Sequence, residues 1–315
     1  MSIQPRAADY DSAWKDVLEQ FFQAGMELCF PAIARQIDWS RGVEFLDKEF
    51  QKILPAAAVG RRTVDKLAKV WCRDGQAEWV LVHVEVQAQR KAHFEQRLFE
   101  RYCRIRERFD RDGVSVAILA DGDRRWRPQA YTRALWGCRV TFEFPTVKLL
   151  DLAADPRLQG CDNPFAVVIL AQVQALRSQG AMPQRQRWKW ELVRALYDRN
   201  YPKRKVQDLF RFIDWVMALP EKLAKQFDQK LIDYEREKRM PYVTSIERRG
   251  RAEGRAEGRR QTLRETILDT LEARFGDVPY DLREKIRAIQ HETVLRKLHR
   301  LAVVGGSLAA FRAGL

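Results

Sequence analysis

The sequence predicts an α/β protein in which a mixed sheet is flanked by helices. Three stretches carry this prediction. "WVLVHVEVQAQR" at 79–90 alternates as a strand does, with valines at the even positions. "KAHFEQRLFERYCRIRERFD" at 91–110 has apolar residues at helical spacing, and "VSVAILAD" at 114–121 is a short apolar run typical of a strand buried on both faces. The order helix, hairpin, helix, strand is that of an α/β domain.

The elements around these stretches follow in order. The first fifty residues predict helices, with Asp11 or Ser12 as a cap, and a second helix covers 42–54. "RRTVDKLAKVW" at 61–71 is β-rich and precedes an Asp74-Gly75 turn signal, so it forms a hairpin with the strand that starts at Trp79. "DGDRRWRPQAYTR" is a loop. "CRVTFEFPTVKLLDL" is a further strand run, in which Pro145 implies an edge or a bulge.

Changes of composition divide the chain into four parts. Residues 1–160 form the α/β core, and 161–245 form an all-helical extension punctuated by prolines. Residues 246–260 are a basic connector with glycines at a four-residue period, which is either a flexible linker or a helix with a glycine stripe. Residues 261–315 form a small helical C-terminal domain.

The charge of the chain favours a polyanionic partner. Lys and Arg number 57 against 43 Asp and Glu, so the formal charge of the 315 residues is +14. Neutralising phosphates with such residues releases counterions, so nucleic acid is the favoured partner. We expect no membrane partner and a cytoplasmic location, since no long apolar run or secretory signal is present. Five scattered cysteines argue against a zinc cage and a disulfide framework.

The hairpin places two carboxylates together. If the strands pair symmetrically about Gly75, Asp65 lies opposite Glu85 on one side of the sheet, with Gln87 further along the same face. Like charges opposite each other destabilise a sheet, and a divalent cation between them removes that penalty. Magnesium prefers oxygen ligands and is commonly held by one or two carboxylates. The alternative is that Glu85, Gln87 and Gln89 face solvent on a half-exposed hairpin.

With Asp65, the run Glu85-Val86-Gln87 and a following helix, the chain resembles the PD-(D/E)XK nuclease superfamily. Within it, "TVDKLAKV" and "VHVEVQAQ" resemble the Rpn family of recombination-promoting nucleases, also described as putative transposases, over roughly residues 8–155. The resemblance implies a restriction-endonuclease-like core, links the chain to recombination or mobile elements, and makes Asp65 and Glu85 ligands of Mg²⁺ or Mn²⁺.

The same resemblance assigns roles to further residues. Gln87, in the usual lysine position, would orient the water or the scissile phosphate, and Glu49 is a weaker candidate for an accessory metal-binding carboxylate. Glutamine cannot supply the positive charge of a lysine, which Lys66, Lys69 or a second metal would have to replace.

Two basic segments are candidates for nucleic-acid binding. Four arginines recur on one face of the helix after the hairpin, where they track phosphates or form a solvated face with glutamates: Arg97, Arg101, Arg104 and Arg108. In the loop after the apolar strand, Arg125 and Trp126 would contact a backbone or stack on a base, or would simply be exposed. His83, beside Glu85, is a hydrogen-bonded structural histidine or a ligand.

The sequence thus predicts a metal-dependent DNA endonuclease that could act as a homodimer. Two alternatives remain open at this point: a catalytically silent nucleic-acid-binding or assembly protein on the same fold, and a nuclease that acts on RNA.

Overall fold

The structure is a computed structural model that describes residues 7–53, 64–73, 79–158, 160–199, 201–242, 260–272, 274–276, 278–289 and 291–313. The chain divides into two compact units, Met1–Lys238 and Arg239–Leu315.

The first unit contains a five-stranded mixed sheet. Its strands are β1 (Glu44–Phe45), β2 (Val64–Trp71), β3 (Trp79–Gln87), β4 (Gly113–Leu119) and, after the separate strands β5 (Ala130–Leu135) and β6 (Cys138–Glu143), β7 (Thr146–Lys148). They lie in the order β1-β2-β3-β4-β7. The pairs β1–β2 and β2–β3 are antiparallel, whereas β3–β4 and β4–β7 are parallel. The predicted α/β class with a mixed sheet flanked by helices is confirmed.

Ten α-helices of the described residues belong to this unit. They are α1 (Ala7–Gln20), α2 (Phe22–Cys29), α3 (Pro31–Ala34), α4 (Asp47–Ile53), α5 (Phe94–Phe109), α6 (Leu149–Leu152), α7 (Pro164–Arg177), α8 (Met182–Asp198), α9 (Lys203–Val216) and α10 (Glu221–Lys238). Helix α5 is the crossover connection that the parallel pairing of β3 and β4 requires. Its apolar stripe, with Phe94, Leu98 and Ile105 buried, packs on the sheet.

Two predicted helix starts were wrong. Asp11 and Ser12 lie inside α1, which already begins at Ala7, so neither caps that helix. The helix predicted over 42–54 starts only at Asp47, because Glu44 and Phe45 pair with β2 instead and Leu46 donates its backbone N–H to the carbonyl of Leu67 at 2.8 Å.

The run "CRVTFEFPTVKLLDL" is split between two sheets. Strand β6 pairs with β5 in a separate two-stranded ribbon, whereas β7 joins the edge of the main sheet. Pro145 lies between them, where it lacks an N–H for a ladder but its carbonyl accepts from Ala117 N at 3.0 Å. The predicted loop ends earlier than expected, because residues 130–133 belong to β5.

The N-terminal helices and the later helices of the unit share one core. Trp14 of α1 is buried with its ring centroid 6.4 Å from that of Phe165 and 5.0 Å from that of Phe212. Asn163 donates from Nδ2 to the carbonyl of Ala24 at 2.9 Å and caps α7 with its side-chain oxygen. Residues 1–160 and the four helices that follow therefore pack within the same unit.

The second unit is helical. Its helices are α11 (260–272), α12 (Tyr280–Ala288), α13 (Glu292–Val304) and α14 (Leu308–Ala313). They enclose a core of their own that includes Ile267, Leu282, Leu298 and Phe311. The predicted glycine-repeat connector falls on residues outside those described, apart from Arg260, which lies in α11. Among the described residues of the chain, no helix combines the length and the apolar composition that a membrane span requires.

Candidate functional site

Asp65 and Glu85 are direct partners in the antiparallel pair β2–β3. The predicted register about Gly75 is therefore confirmed, although the turn itself lies outside the described residues. His83 is paired with Leu67 and lies two residues before Glu85, so it shares the same face of the sheet. This face is the one that α5 crosses.

The polar residues of β3 are buried. Glu85 is 0% exposed, and His83 and Gln87 are nearly as inaccessible, while Asp65 on β2 is 8% exposed. The alternative in which Glu85 and Gln87 face solvent is wrong, and only Gln89, beyond the end of the strand, is exposed. Buried polar groups and charges require partners, so the contacts of these side chains determine what the site can do.

Arg101 of α5 lies between the two carboxylates. Its Nη1 donates to Asp65 Oδ1 at 2.7 Å and to Glu85 Oε2 at 2.5 Å, and the side chain is itself buried. One guanidinium thus neutralises part of a pair of facing negative charges. The prediction that Arg101 tracks phosphates along an exposed ridge is wrong, because the interior carboxylates hold it.

The other three arginines of the predicted ridge lie in different environments. Arg97 has Nη2 3.7 Å from Glu85 Oε1, donates from Nη1 to the carbonyl of Ala92 at 3.0 Å, and keeps 28% of its side chain exposed. Arg104 is half-buried and Arg108 is exposed. The ridge therefore divides into two residues that lean over the carboxylates and two that face outward.

His83 supports Asp65. Its Nε2 lies 3.2 Å from Asp65 Oδ1, its Nδ1 lies 3.4 Å from Ser115 Oγ, and its ring packs 5.1 Å from that of Phe50. Both ring nitrogens are therefore engaged, as in a hydrogen-bonded structural histidine.

The site also contains a group of residues that could hold a metal ion. Within the part of the chain that the structure describes, oxygens of Asp65 and Glu85 and a ring nitrogen of His83 lie within 4.8 Å of one another. Glu49 was predicted as an accessory carboxylate; it lies half-buried on α4 and is not a member of this group.

Burial raises the pKa of the Glu85 carboxyl. The positive charge of Arg101 opposes this shift and the negative charge of Asp65 adds to it, with smaller contributions from His83 and Arg97. Desolvation dominates because Glu85 is wholly inside the protein and shares its nearest cation with a second carboxylate.

Three buried polar atoms of the site have no hydrogen-bond partner among the described residues: Glu85 Oε1, Gln87 Oε1 and Arg97 Nη2. Gln87 uses its Nε2 to donate to the carbonyl of Gln89 at 2.6 Å, which leaves its oxygen as an acceptor. One carboxylate oxygen and one amide oxygen on this face of the sheet have no hydrogen-bond partner, and both are ligand types that a hard divalent cation takes. The carboxylate oxygen, Glu85 Oε1, lies 3.7 Å from Arg97 Nη2. These residues could therefore hold a divalent metal ion.

The lysines proposed to replace the missing charge lie elsewhere. Lys66 follows Asp65 directly in β2, so its side chain lies on the opposite face of the sheet. Its Nζ lies 2.6 Å from Glu19 Oε2 and 2.5 Å from Asp47 Oδ2. Lys69 is paired with Glu44 at 3.2 Å. The cation at the carboxylates is Arg101, whose position three residues after Leu98 and four before Ile105 puts it at the edge of the buried stripe of α5.

Trp126 is part of the core. It is 8% exposed, and its ring lies 5.4 Å from that of Phe94, while Lys148 Nζ lies 5.7 Å from the indole. The prediction that Trp126 stacks on a base is wrong, because its aromatic face is already covered. Arg125, next to it, is exposed as predicted.

Comparisons of this chain with protein-family models, with curated proteins and with solved structures found no match.

Proposed function

We propose that the chain is a metal-dependent DNA endonuclease that hydrolyses phosphodiester bonds, and that its sheet is a restriction-endonuclease-like core. The observation that carries the proposal is the directly opposed, buried pair Asp65 and Glu85, together with the oxygens of Glu85 and Gln87 that have no hydrogen-bond partner. Two buried acids that face each other and share one guanidinium cost free energy, and acids in such perturbed environments are concentrated at functional sites.

Asp65 and Glu85 would hold Mg²⁺ or Mn²⁺, with the oxygen of Gln87 as a neutral neighbour. A cation bound there supplies stabilisation of charge on the phosphodiester and lowers the pKa of a water. Arg101 donates to one oxygen of each acid, so a cation bound at the acids would share the two carboxylates with it or replace one of its contacts. Without a metal, Arg101 therefore offsets part of the negative charge of the two acids.

Arg97 is more exposed to solvent than the other charged side chains described at this site. Its side chain is 28% exposed while one of its nitrogens, Nη2, is buried 3.7 Å from Glu85. A phosphate that meets Arg97 is thereby held next to the acids, and a planar guanidinium suits phosphate geometry. Arg97 and Arg101 together supply the positive charge that Gln87 lacks.

DNA is the proposed substrate because the chain carries a formal charge of +14. The resemblance to recombination-promoting nucleases supports a role in recombination or mobile elements. A homodimer would suit this activity, since one site cuts one strand at a time. A nuclease that acts on RNA would use the same residues.

A catalytically silent nucleic-acid-binding protein is the second candidate, and one observation favours it. Arg101 already forms ion pairs with both acids, so part of their charge is offset without a metal. In that case the acids and the arginine would be a structural ion-pair cluster inside the fold.

Magnesium-dependent nicking of supercoiled plasmid tests the proposal. We expect nicking by the parent protein that rises with Mg²⁺ and is lost in Asp65→Ala and in Glu85→Ala. Glu107→Ala is the matched control, because Glu107 is an exposed acid on α5. Nicking that persists in both site variants would show that the proposed site is wrong.

Thermal unfolding with and without Mg²⁺ separates the two candidates. An increase in melting temperature that requires Asp65 and Glu85, with no nicking, would identify a cation-binding protein without nuclease activity. No nicking and no increase in melting temperature would favour the structural ion-pair cluster.

A further inference from the structure

The ribbon of β5 and β6 ends in a turn that exposes a tryptophan. Leu135 and Cys138 are the last pair of the ribbon, and Trp136 and Gly137 form the two-residue turn between them. Both turn residues have positive φ, 49° for Trp136 and 86° for Gly137, as a type I′ hairpin turn requires. Trp136 is 97% exposed.

Trp136 occupies an unfavourable backbone conformation without compensation from packing. Left-handed φ is uncommon outside glycine, asparagine and aspartate, and for a bulky residue it is a genuine outlier. Here the indole lies almost wholly in water, so no buried contact offsets that conformation. An exposed aromatic residue held in a strained turn points to a function at the tip of the ribbon.

The base of the ribbon is fixed to α5. Tyr131 stacks on Phe99 with centroids 5.1 Å apart, and Phe142 packs on Tyr102 with centroids 4.9 Å apart. At about 3.3 Å per residue, the tip projects roughly 15 Å beyond this contact. The helix that anchors the ribbon is also the helix that places Arg101 at the carboxylates.

The part of the ribbon near the tip is cationic on both faces. Arg133 is paired with Val140, and Arg139 is paired with Ala134. Because neighbouring pairs of an antiparallel ladder point to opposite faces, the two arginines lie on opposite faces of the ribbon. Both are exposed, and the single acid of the two strands, Glu143, lies at the base.

We propose that this tip binds a nucleic-acid strand at an unpaired base. Trp136 stacks on the base, while Arg133 and Arg139 contact the phosphates on either side of it. Stacking on an aromatic ring beside basic residues is the usual way in which single strands are held. The inference rests on the nucleic-acid partner of the proposed function and adds that the substrate offers an unstacked base.

Charge and geometry favour this partner over a lipid surface. Arg133 and Arg139 lie within three residues of Trp136, one on either side of the tip. If Trp136 were inserted into the hydrocarbon of a membrane, both guanidinium groups would be moved towards the apolar layer, which is unfavourable for a charge. Against a strand of nucleic acid, the same spacing places the two cations beside the backbone that flanks the stacked base.

Binding of short oligonucleotides that carry 2-aminopurine tests the proposal. The measurements use the full chain in EDTA, with one sequence prepared as single-stranded DNA, as single-stranded RNA and as a DNA duplex. We expect the parent to quench 2-aminopurine in the single strands and to bind the duplex more weakly. Trp136→Ala should weaken single-strand binding roughly 5- to 100-fold and abolish the quenching, and Trp136→Phe should retain most of both.

Three further variants define the interaction. Leu135→Ala is the matched control, since Leu135 is an adjacent exposed apolar residue that the proposal does not use. Arg133→Gln and Arg139→Gln should each reduce the slope of log affinity against log salt by about 0.7, the value for one phosphate on a single strand.

Several outcomes would overturn the proposal. The proposal is wrong if the parent protein binds none of the oligonucleotides, or if Trp136→Ala binds them as the parent does. It is also wrong if Trp136 is required only for self-association or only for binding to phosphatidylserine vesicles. Binding is measured in EDTA, which removes divalent cations, so it does not depend on nuclease activity. If binding requires Trp136 but the protein does not nick plasmid in Mg²⁺, the nucleic-acid site at the tip is supported and the proposed nuclease activity is wrong.

Discussion

Arg101 on α5 donates to Glu85 on β3 at 2.5 Å, in the interior of the protein. The same nitrogen reaches Asp65 on β2 at 2.7 Å, so one side chain from the helix ties together two strands of the sheet. This contact accounts for how the fold tolerates two facing acids, and it suggests the following measurements.

Removing the guanidinium should destabilise the protein strongly. Arg101→Ala leaves two carboxylates buried without their shared cation, and breaking a buried ion pair in this way costs about 3–5 kcal/mol. The free energy of unfolding in urea measures the loss. Arg104→Ala, one turn further along α5 and half-buried, is the control and should cost less. Equal losses in the two variants would contradict the assignment of Arg101 as the partner of both acids.

The stability of the protein should depend on pH through Glu85. Because burial raises the pKa of Glu85 above its ordinary value of 4.5, the folded protein keeps this proton at pH values where the unfolded chain has lost it. The stabilisation that protonated Glu85 gives the folded protein is therefore fully present below pH 4.5 and is lost as the pH rises through the raised pKa of Glu85.

Glutamine does not ionise, so the Glu85→Gln variant should not lose this stability as the pH rises. We expect the difference in free energy of unfolding, parent minus Glu85→Gln, to fall as the pH rises above about 4.5. Urea denaturation at a series of pH values measures it. A difference that grows with pH would mean that the ion pair with Arg101, and not burial, dominates the titration of Glu85.

The outward-facing arginines of α5 should contribute to DNA binding through charge alone. Arg104→Glu and Arg108→Glu should weaken binding to duplex DNA and reduce the salt slope by about 0.9 for each phosphate that the variant no longer neutralises. The exposed Arg236 of α10 provides a charge-matched control through Arg236→Glu. If the slope is unchanged in the α5 variants and in the control alike, that face of α5 is simply solvated.

The local sequence pattern was sufficient to predict that the two acids face each other, but it was insufficient to identify Arg101 as their partner. The alternation of β2 and β3 and the turn between them define which residues are opposite, so Asp65 and Glu85 could be paired from the sequence. Helical spacing put Arg101 on a face with Arg97, Arg104 and Arg108. It could not show that this face leans towards β2, since that depends on how α5 packs against the sheet.

The two tryptophans near the loop after β4 illustrate the same limit. Trp126 lies among arginines and looked exposed, but Phe94 and Lys148 cover its ring. Trp136 and Gly137 lie between two alternating runs, a pattern that is typical of a hairpin. The basic, proline-containing segment before them favoured a loop instead. Burial of a loop side chain is decided by distant residues, so no local pattern distinguishes the two.

The shared core of the early and late helices has a consequence for how the chain is made. Trp14 packs against Phe165 and Phe212, which leave the ribosome long after it. At roughly 5–20 residues per second, the interval is on the order of ten seconds or more. During that time the apolar face of α1 has no partner from α7 or α9, which makes the nascent chain a candidate for chaperone binding. A polypeptide cut after residue 160 would retain that exposed face permanently.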